Sequence, residues 1–243
     1  MAVLAGRAAV VTGGSRGIGR GIVLRLCQDG AAVVFSYLRD EAAAKETEAA
    51  SGGAASAVRA DLGVLSEVRA LFATAEERLG GLDIVVNNAG TAVPMSFADA
   101  TEEEYDRVMD ANAKGTFFAM QEAARRLRDG GRIVNLSSVN TVAAAPANAI
   151  YQGSKGAIEQ FTLVGALELG PRGITVNTVS PGATDTDLLR SANPPEVLEK
   201  VPAMTPLGRL GQPADIAAVV AFLVGPDGAW VTGQNIRAAG GIS

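Results

Sequence analysis

A tyrosine and a lysine stand four residues apart near the start of a predicted helix. Tyr151 and Lys155 therefore share one helical face. A phenol with a pKa near ~10 is a sluggish acid or base at neutral pH, and a nearby ammonium group lowers that pKa. The pair could move a proton, although this spacing by itself is common in helices.

A serine lies upstream of the pair, where it could assist the same chemistry. Ser138 follows residues 133–136, an apolar run that is predicted to be a strand. Open α/β sheets bind ligands at the carboxyl ends of their strands, so the Ser138 hydroxyl could polarise a substrate oxygen beside Tyr151. Ser137 is the competing assignment.

A glycine-rich turn joins the first predicted strand to the first predicted helix. Residues 12–19 read Thr-Gly-Gly-Ser-Arg-Gly-Ile-Gly. Glycines there permit a tight turn and close approach of the backbone to a pyrophosphate, which the helix dipole also favours. No Gly-Lys-Ser/Thr follows, so a P-loop NTPase is disfavoured.

The elements that must position these residues alternate along the chain. Short, nearly continuous apolar runs predict strands at 8–11, 31–36, 54–59, 84–87, 133–136, 174–179 and 234–238. Helices are predicted at 18–29, 41–50, 66–79, 101–128, 152–169 and 213–223. This alternation predicts one α/β domain over residues 1–243: a Rossmann-type, doubly wound parallel sheet of about seven strands with helices on both faces. The proline-rich stretch 183–206 is interpreted as a lid insertion on the substrate side.

Composition excludes several classes of function. The 243 residues are 48% hydrophobic with a formal net charge of −5, which argues against a nucleic-acid binder. The chain has no histidine and one cysteine, Cys27, so a histidine-based triad or metal site and a cysteine zinc site are excluded. No run of about 18 apolar residues occurs. We expect a cytoplasmic enzyme without a metal, and Cys27 as a core residue.

Taken together, the motifs resemble those of the short-chain dehydrogenase/reductase family over essentially the whole chain. The shared features, in order, are residues 12–19, Asn87-Asn88-Ala89-Gly90, Ser138, Tyr151-x3-Lys155 and Pro181-Gly182. The pattern is most similar to 3-oxoacyl-acyl-carrier-protein reductases and related carbonyl reductases and ketoreductases. The resemblance implies a catalytic set of Ser138, Tyr151, Lys155 and Asn112, in which Asn112 bends its helix and binds a water that connects Lys155 to solvent.

The resemblance also implies where a nicotinamide cofactor binds. The residues expected at the pyrophosphate and the first ribose are Gly13, Ser15, Arg16, Gly17, Ile18 and Gly19. Asp61 and Leu62 are expected at the adenine. Asn88, Ala89, Gly90, Tyr151 and Lys155 are expected at the second ribose. Pro181, Gly182, Thr184 and Thr186 are expected at the nicotinamide and the nearby phosphate.

The end of the second strand bears on the choice between NAD and NADP. An NAD site usually has an acid there, which binds the ribose 2′-OH and repels a 2′-phosphate. This strand ends in Ser36 and Tyr37, both expected at the cofactor, while Arg16 and Arg39 could bind a 2′-phosphate. NADP(H) is therefore favoured, and Asp40 leaves NAD open.

These expectations describe an NADPH-dependent reductase of ketones or 3-oxoacyl groups, in which Tyr151 donates the proton. Segments 91–97, 139–148 and 184–204 should line a mostly apolar pocket for a small-molecule ketone or an acyl thioester. Acyl carrier protein is a possible partner through Arg125, Arg126 and Arg128, which otherwise form a solvated helix face. The long helices 101–128 and 152–169 resemble the family's dimer-forming pair and imply a homotetramer. The alternatives are an alcohol dehydrogenase running in the oxidative direction and a non-enzymatic NADP sensor.

Overall fold

The computed structural model describes residues 2–242, in which seven strands form one parallel sheet in the order β3-β2-β1-β4-β5-β6-β7. The strands are β1 (Ala8–Val11), β2 (Ala32–Tyr37), β3 (Ala55–Arg59), β4 (Leu82–Asn87), β5 (Leu127–Leu136), β6 (Thr175–Pro181) and β7 (Asn235–Ala238). The order reverses between β1 and β4, and such a switch point leaves a ligand-binding crevice at the carboxyl ends of the strands. The predicted Rossmann-type fold is confirmed.

Helices cover both faces of the sheet. They are α1 (Gly17–Gln28), α2 (Glu41–Ala50), α3 (Leu65–Leu79), α4 (Glu102–Met109), α5 (Gly115–Arg126), α6 (Ala149–Leu169), α7 (Asp187–Ala192), α8 (Pro195–Leu198), α9 (Val201–Met204) and α10 (Pro213–Val224). One core lies under α1, α2 and α10, and a second lies under α3, α5 and α6. The central strands β4 and β6 are buried along their whole length, which explains their nearly continuous apolar runs.

The predicted helix 101–128 is not a single helix. A π-helical segment, Asp110–Lys114, separates α4 from α5, and the helix ends at Arg126. Strand β5 then begins at Leu127, six residues before the predicted start at 133. Leu127 pairs with Leu82, and the ladder resumes at Arg132 after an irregularity. The intervening polar and glycine residues leave the ladder, so they carry no strand pattern in the sequence.

Segment 183–206 contains the three short helices α7, α8 and α9. It is anchored at its start by an isolated parallel bridge between Thr184 and Gly211. Among residues 2–242, no helix has both the length and the low charge that a bilayer crossing requires.

Candidate active site

The glycine-rich turn is held from behind by the end of β2. Gly13 N–H donates to Ser36 Oγ at 3.0 Å, and Gly14 N–H donates to the Ser36 carbonyl oxygen at 2.8 Å. The Ser36 side chain is buried and bonded inward. The Ser36 hydroxyl thereby helps to fix the turn, and its contact with the cofactor stays a prediction. Tyr37, the next residue, is half-buried at the strand end.

Two glycines of the turn sit where no side chain fits. A Cβ built on Gly19 would lie 2.0 Å from the Gly13 carbonyl oxygen. One built on Gly14 would lie 2.6 Å from Phe35 Cβ. Gly13 has φ +68°, in the left-handed region that favours glycine. These contacts bring α1 against the turn and leave a cradle of backbone.

The start of α1 has the properties of an anion site. Arg16 occupies the N-cap position without a side-chain cap, and the first turn of the helix has no acidic residue. The first N–H groups of a helix lack intrahelical acceptors, and the positive end of the dipole favours a phosphate. Thr47 of α2 supports this turn, since its Oγ1 donates to the Ser15 carbonyl oxygen at 3.0 Å. Nothing in the sequence pattern singles out Thr47.

The charges near the end of β2 are distributed unevenly. Arg16 is 65% exposed, and its Nη1 lies 4.0 Å from Asp187 Oδ2 at the start of α7. Arg39 is exposed as well. Asp40 is the N-cap of α2, and its Oδ1 accepts the Ala43 N–H at 2.9 Å. Asp40 is thus engaged in capping its own helix.

The segment after β4 forms the other wall of the crevice. Thr12 Oγ1 accepts the N–H groups of Asn88 and Ala89, both at 3.0 Å. The Asn88 side chain returns two bonds, donating from Nδ2 to the carbonyl oxygens of Thr12 and Gly13. The two segments at the switch point are therefore bonded to each other.

The turn after β3 is also ordered locally. Asp61 Oδ1 accepts the Gly63 N–H at 2.9 Å, and the Asp61 N–H donates to Glu67 Oε2 at 2.7 Å. Leu62 is buried, and a Cβ on Gly115 would lie 2.8 Å from its carbonyl oxygen. Asp61 and Leu62 thus lie between the sheet and the start of α5.

Tyr151, Lys155 and Ser138 come together at the carboxyl end of β5. The Ser138 side chain lies beside the Tyr151 hydroxyl, close enough to act on its protonation. Lys155 Nζ lies 5.8 Å from the centre of the Tyr151 ring and donates to the Leu136 carbonyl oxygen at 2.8 Å. Ser138 Oγ accepts the Asn140 N–H at 3.2 Å, which leaves the hydroxyl proton free to point elsewhere. This arrangement can hold a carbonyl oxygen and supply it with a proton.

Burial acts on both titratable groups of this cluster. It raises the pKa of Tyr151 above its ordinary value of 10.0, and the Ser138 side chain opposes that rise only in part. Burial also lowers the pKa of Lys155 from 10.5 to about 8. The expected lowering of the Tyr151 pKa is not seen in this structure, because desolvation of the phenolate is the larger effect and Ser138 is the group that opposes it.

The neighbouring serine faces away from this cluster. Ser137 Oγ donates to Glu159 Oε1 at 2.8 Å and lies 3.2 Å from the Lys155 carbonyl oxygen. The structure therefore brings Ser138, and not Ser137, to Tyr151. Glu159 received no attention in the sequence analysis, since a glutamate within a helix is ordinarily a surface residue.

Asn112 lies in the π-helical segment and is fully buried. Its Nδ2 donates to the Thr91 carbonyl oxygen and to Ser154 Oγ, both at 2.9 Å, and its Oδ1 accepts the Thr91 N–H at 2.8 Å. A Cβ on Gly90 would lie 3.1 Å from Asn112 Oδ1 and 3.4 Å from Lys155 Nζ. Asn112 thus links the segment after β4 to α6, beside the Lys155 ammonium.

The segment after β6 closes over the glycine turn. A Cβ on Gly182 would lie 2.8 Å from Ala239 Cα, so Pro181-Gly182 packs tightly against the end of β7. Thr184 is buried and donates from Oγ1 to the Gly182 carbonyl oxygen at 3.0 Å. Thr186 caps α7, and its Cγ2 lies 3.2 Å from a Cβ built on Gly17. The start of segment 183–206 therefore lies over the turn.

Two loops meet above Tyr151. The Met95 N–H donates to the Ala147 carbonyl oxygen at 2.7 Å, and Met95 forms an isolated bridge with Asn148. Ala147 has φ +59°, the one non-glycine residue of the described chain in the left-handed region. Phe97, close to this junction, is 88% exposed. No sequence signal marks Ala147, because its conformation comes from contacts between loops.

The basic cluster considered for a carrier protein lies elsewhere. Arg125 and Arg126 end α5 and Arg128 follows the first residue of β5, so all three lie at the amino edge of the sheet, opposite the candidate site. Each is ion-paired: Arg125 and Arg126 with Glu122, and Arg128 with Asp83. The expectation that they face the substrate entrance is wrong.

Cys27 lies outside the cluster of Ser138, Tyr151 and Lys155. The thiol is partly buried against the core under α1, and burial raises its pKa to about 11. It is therefore not an activated nucleophile. Over residues 2–242, no group of three or more His, Cys, Asp or Glu side chains is arranged to hold a metal ion.

Comparison with known proteins places this site in a wider context. A family model described as Enoyl-(Acyl carrier protein) reductase matches residues 13–243. A hydroxynaphthalene reductase-like protein of Metarhizium brunneum is 44% identical, with 98% of this chain and 95% of that protein covered.

Two solved structures have the same fold throughout. The angucycline C-6 ketoreductase LanV with bound NADP superposes with a TM-score of 0.93 at 42% identity, covering 99% of this chain and 96% of that one. A short-chain dehydrogenase of Burkholderia cenocepacia in complex with NADP gives 0.92 at 39% identity, with 99% of both chains covered.

Proposed function

Because this chain belongs to the short-chain dehydrogenase/reductase family, we propose that it uses NADPH to reduce a ketone to an alcohol, with Tyr151 as the proton donor. The observation that carries the proposal is the meeting of Ser138, Tyr151 and Lys155 at the carboxyl edge of the sheet, with Lys155 Nζ 5.8 Å from the centre of the Tyr151 ring. Similar proteins named as ketoreductases and reductases support the direction of the reaction.

The residues present fit a nicotinamide dinucleotide. The backbone cradle at Gly14 and Gly19 leaves space that a Cβ would fill, and the start of α1 lacks any acid that would repel a pyrophosphate. Gly13, Ser15, Arg16, Gly17, Ile18 and Gly19 would hold the phosphates. When bound, NADPH supplies the hydride that the carbonyl carbon receives.

Preference for NADP(H) is supported by charge at the end of β2. Arg16 is available to a 2′-phosphate, since its pairing with exposed Asp187 is long and solvent-screened. Asp40, the residue that would favour NAD, is bonded to the backbone of α2. Two similar structures contain NADP.

The side chains divide the remaining work. Ser138 orients the carbonyl oxygen, because its Oγ already accepts the Asn140 N–H and its proton is free to be donated. Tyr151 donates the proton, and its raised pKa keeps it in the acid form at neutral pH. Lys155 positions the second ribose and stabilises the phenolate that remains. Asn112 holds Thr91 against α6, and in this proposal it also binds the water that connects Lys155 to solvent.

A free, neutral ketone is the substrate class that fits best. Phe97 and Met204, on segments expected to line the pocket, are 88% and 73% exposed apolar side chains. The basic cluster at the amino edge cannot guide an acidic carrier protein to this entrance. Relatives named for hydroxynaphthalene and angucycline reduction favour an aromatic polycyclic ketone over a carrier-bound 3-oxoacyl thioester.

A substrate panel tests the proposal. A bicyclic aromatic hydroxyketone, an aliphatic ketone, a free acetoacetyl thioester and its carrier-bound form are each incubated with NADPH and with NADH, and cofactor absorbance is followed. Reduction of at least one ketone, with NADPH favoured, is the expected result. Faster oxidation of the matching alcohols with NAD would instead indicate an alcohol dehydrogenase. Tight NADPH binding without any turnover would indicate a sensor.

We further propose that the protein is a cytoplasmic homotetramer. Helices α5 and α6 expose a stripe of large apolar side chains: Phe117, Leu163, Val164 and Leu167. Exposed apolar patches on soluble proteins commonly mark interfaces, and a second copy would cover this one by two-fold symmetry.

A further inference from the structure

Three consecutive residues at the end of β5 each face a different residue of α6. The Leu136 carbonyl oxygen accepts from Lys155 Nζ, the Ser137 hydroxyl donates to Glu159, and the Ser138 side chain lies beside Tyr151. The partners on α6 are spaced four residues apart, so they form a row along one helical face. We call this arrangement the β5–α6 clasp.

The middle pair of the clasp has no part in the proposed reaction. Ser137 is 4% exposed, and its Oγ donates to Glu159 Oε1 at 2.8 Å while lying 3.2 Å from the Lys155 carbonyl oxygen. Its backbone N–H donates to the Val179 carbonyl oxygen at 2.9 Å, which extends the sheet by one residue. Ser137 is thus held from two sides, by the sheet and by α6.

Ser138 lies just beyond this anchored residue. It has extended dihedrals, φ −158° and ψ 146°, and the chain then turns into a 3₁₀ turn, Val139–Thr141. Because Ser137 is bonded to Glu159 and to the sheet, the backbone of the next residue is fixed relative to α6. The Ser138 side chain is thereby held beside Tyr151, on the same helix.

We propose that Ser137 and Glu159 are positioning residues, which align the Ser138 hydroxyl with Tyr151 by fixing the end of β5 on α6. The inference rests on the proposed function, in which Ser138 and Tyr151 hold the carbonyl oxygen. A hydroxyl that is displaced by about 1 Å loses much of its catalytic effect, and such losses reach ~100-fold in rate.

The test compares Glu159→Ala, Ser137→Ala and Glu159→Gln in the reduction of the best ketone of the panel. Both alanine variants should lower kcat about 10- to 100-fold, while the Kd for NADPH, measured by fluorescence titration, stays at the wild-type value. Glu159→Gln should retain nearly all of kcat, because its amide oxygen still accepts from Ser137. Gln160→Ala, at an exposed neighbouring position, is the control.

Several results would overturn the inference. Wild-type kcat in both alanine variants would do so, as would equal losses in Glu159→Gln and Glu159→Ala, since charge and not a positioning hydrogen bond would then matter. A drop in kcat that merely follows a smaller folded fraction would also overturn it.

Crystal structures of the same variants separate this inference from the proposed function. If the wild type reduces no ketone, the proposed function fails, yet the structures still decide the inference. A Ser138–Tyr151 contact that is lost in Glu159→Ala and kept in Glu159→Gln supports it. An undisturbed contact in Glu159→Ala overturns it.

Discussion

Desolvation governs the two titratable residues of the candidate site. Burial disfavours the charged form of each, so it raises the pKa of Tyr151 and lowers that of Lys155 to about 8. At neutral pH the tyrosine keeps its proton and the lysine is still mostly charged. A proton donor beside a cation is what reduction of a carbonyl requires, since the developing oxyanion must be both neutralised and stabilised.

Replacement of the phenol tests its role directly. Tyr151→Phe removes the hydroxyl that would donate the proton, so we expect kcat to fall about 100- to 10,000-fold. NADPH binding, followed by fluorescence titration, should change little. Tyr105→Phe, at a half-exposed tyrosine of α4, is the matched control. Turnover of Tyr151→Phe close to that of Tyr105→Phe would rule out the assignment.

Burial of the Lys155 ammonium group should lower the stability of the folded protein, although the proposed function requires a lysine at this position. The difference between pKa values of 10.5 and about 8 corresponds to ~3 kcal/mol of unfavourable desolvation, from which the bond to Leu136 must be discounted. Lys155→Met should therefore raise the free energy of unfolding of the cofactor-free protein by about 1–3 kcal/mol at pH 7, measured by urea denaturation. Turnover should be lost.

The sign of this effect with pH follows from linkage. Between the native pKa of about 8 and the unfolded value of 10.5, the unfolded chain binds more protons at Lys155, so wild-type stability rises with pH there. The amount by which the free energy of unfolding of Lys155→Met exceeds that of the wild type should be largest below pH 8 and smaller at pH 9.5. Lys114→Met, at an exposed lysine, should show no such trend. An advantage of Lys155→Met that does not vary with pH would contradict the explanation.

At the scale of secondary-structure elements, the sequence pattern predicts those helices and strands whose bounds are set by residues nearby in the chain. Helix α2 was predicted at its observed bounds, because it begins at the Asp40 cap and ends before glycines. The resemblance implied a bend at Asn112 but not its π-helical form, in which Asn112 bonds to Thr91, 21 residues earlier. The inward direction of Ser36 and the pairing of Ser137 with Glu159 depend on tertiary contacts in the same way. The motifs predicted which residues lie at the candidate site, but not which further residues hold them in position.

The π-helical segment should be both a structural and a functional element. Asn112→Ala would leave the Thr91 N–H and carbonyl groups and Ser154 Oγ without their partner, at a cost of about 2–4 kcal/mol. We expect Tm to fall by about 4–16 °C and turnover to fall with it at temperatures where the variant is folded. Lys114→Ala, in the same segment but exposed, should be nearly neutral in both calorimetry and assay. A fully stable Asn112→Ala would show that the segment is held by other contacts.

The turn between β1 and α1 should set the cofactor preference. Arg16→Ala removes a charge-assisted contact to a 2′-phosphate, so KM for NADPH should rise about 10- to 100-fold while KM for NADH changes little. Steady-state kinetics with both cofactors measures this. Arg39→Ala tests the second exposed arginine and should have the smaller effect if Arg16 is the main contact. Equal losses with NADPH and NADH would point to damage to the turn.

Over the whole molecule, charge and apolar surface are separated. The buried acids Asp83 and Glu122 bind arginines at the amino edge of the sheet, where one ion pair lies within α5 and another joins β4 to β5. The glycine-rich turn and the cluster around Tyr151 lie at the carboxyl edge of the sheet. The outer face of α5 and α6 instead exposes apolar side chains, so the proposed contact between copies and the proposed chemistry use different sides of α6.

The exposed apolar stripe on α5 and α6 is expected to form the contact between copies of the chain. Leu167 is 80% exposed on α6, and Phe117 of α5 stacks edge-on against Phe161 beside it, at 5.3 Å between ring centres. A carboxylate at position 167 would be buried without a partner in an interface between two copies, which is strongly unfavourable. Leu167→Glu should therefore reduce the mass measured by light scattering to that of a smaller species, whereas Gln160→Glu, on the same helix, should leave the wild-type mass. Because the candidate site is built from one chain, the smaller species should still bind NADPH. An unchanged mass for Leu167→Glu would exclude this face as the contact between copies.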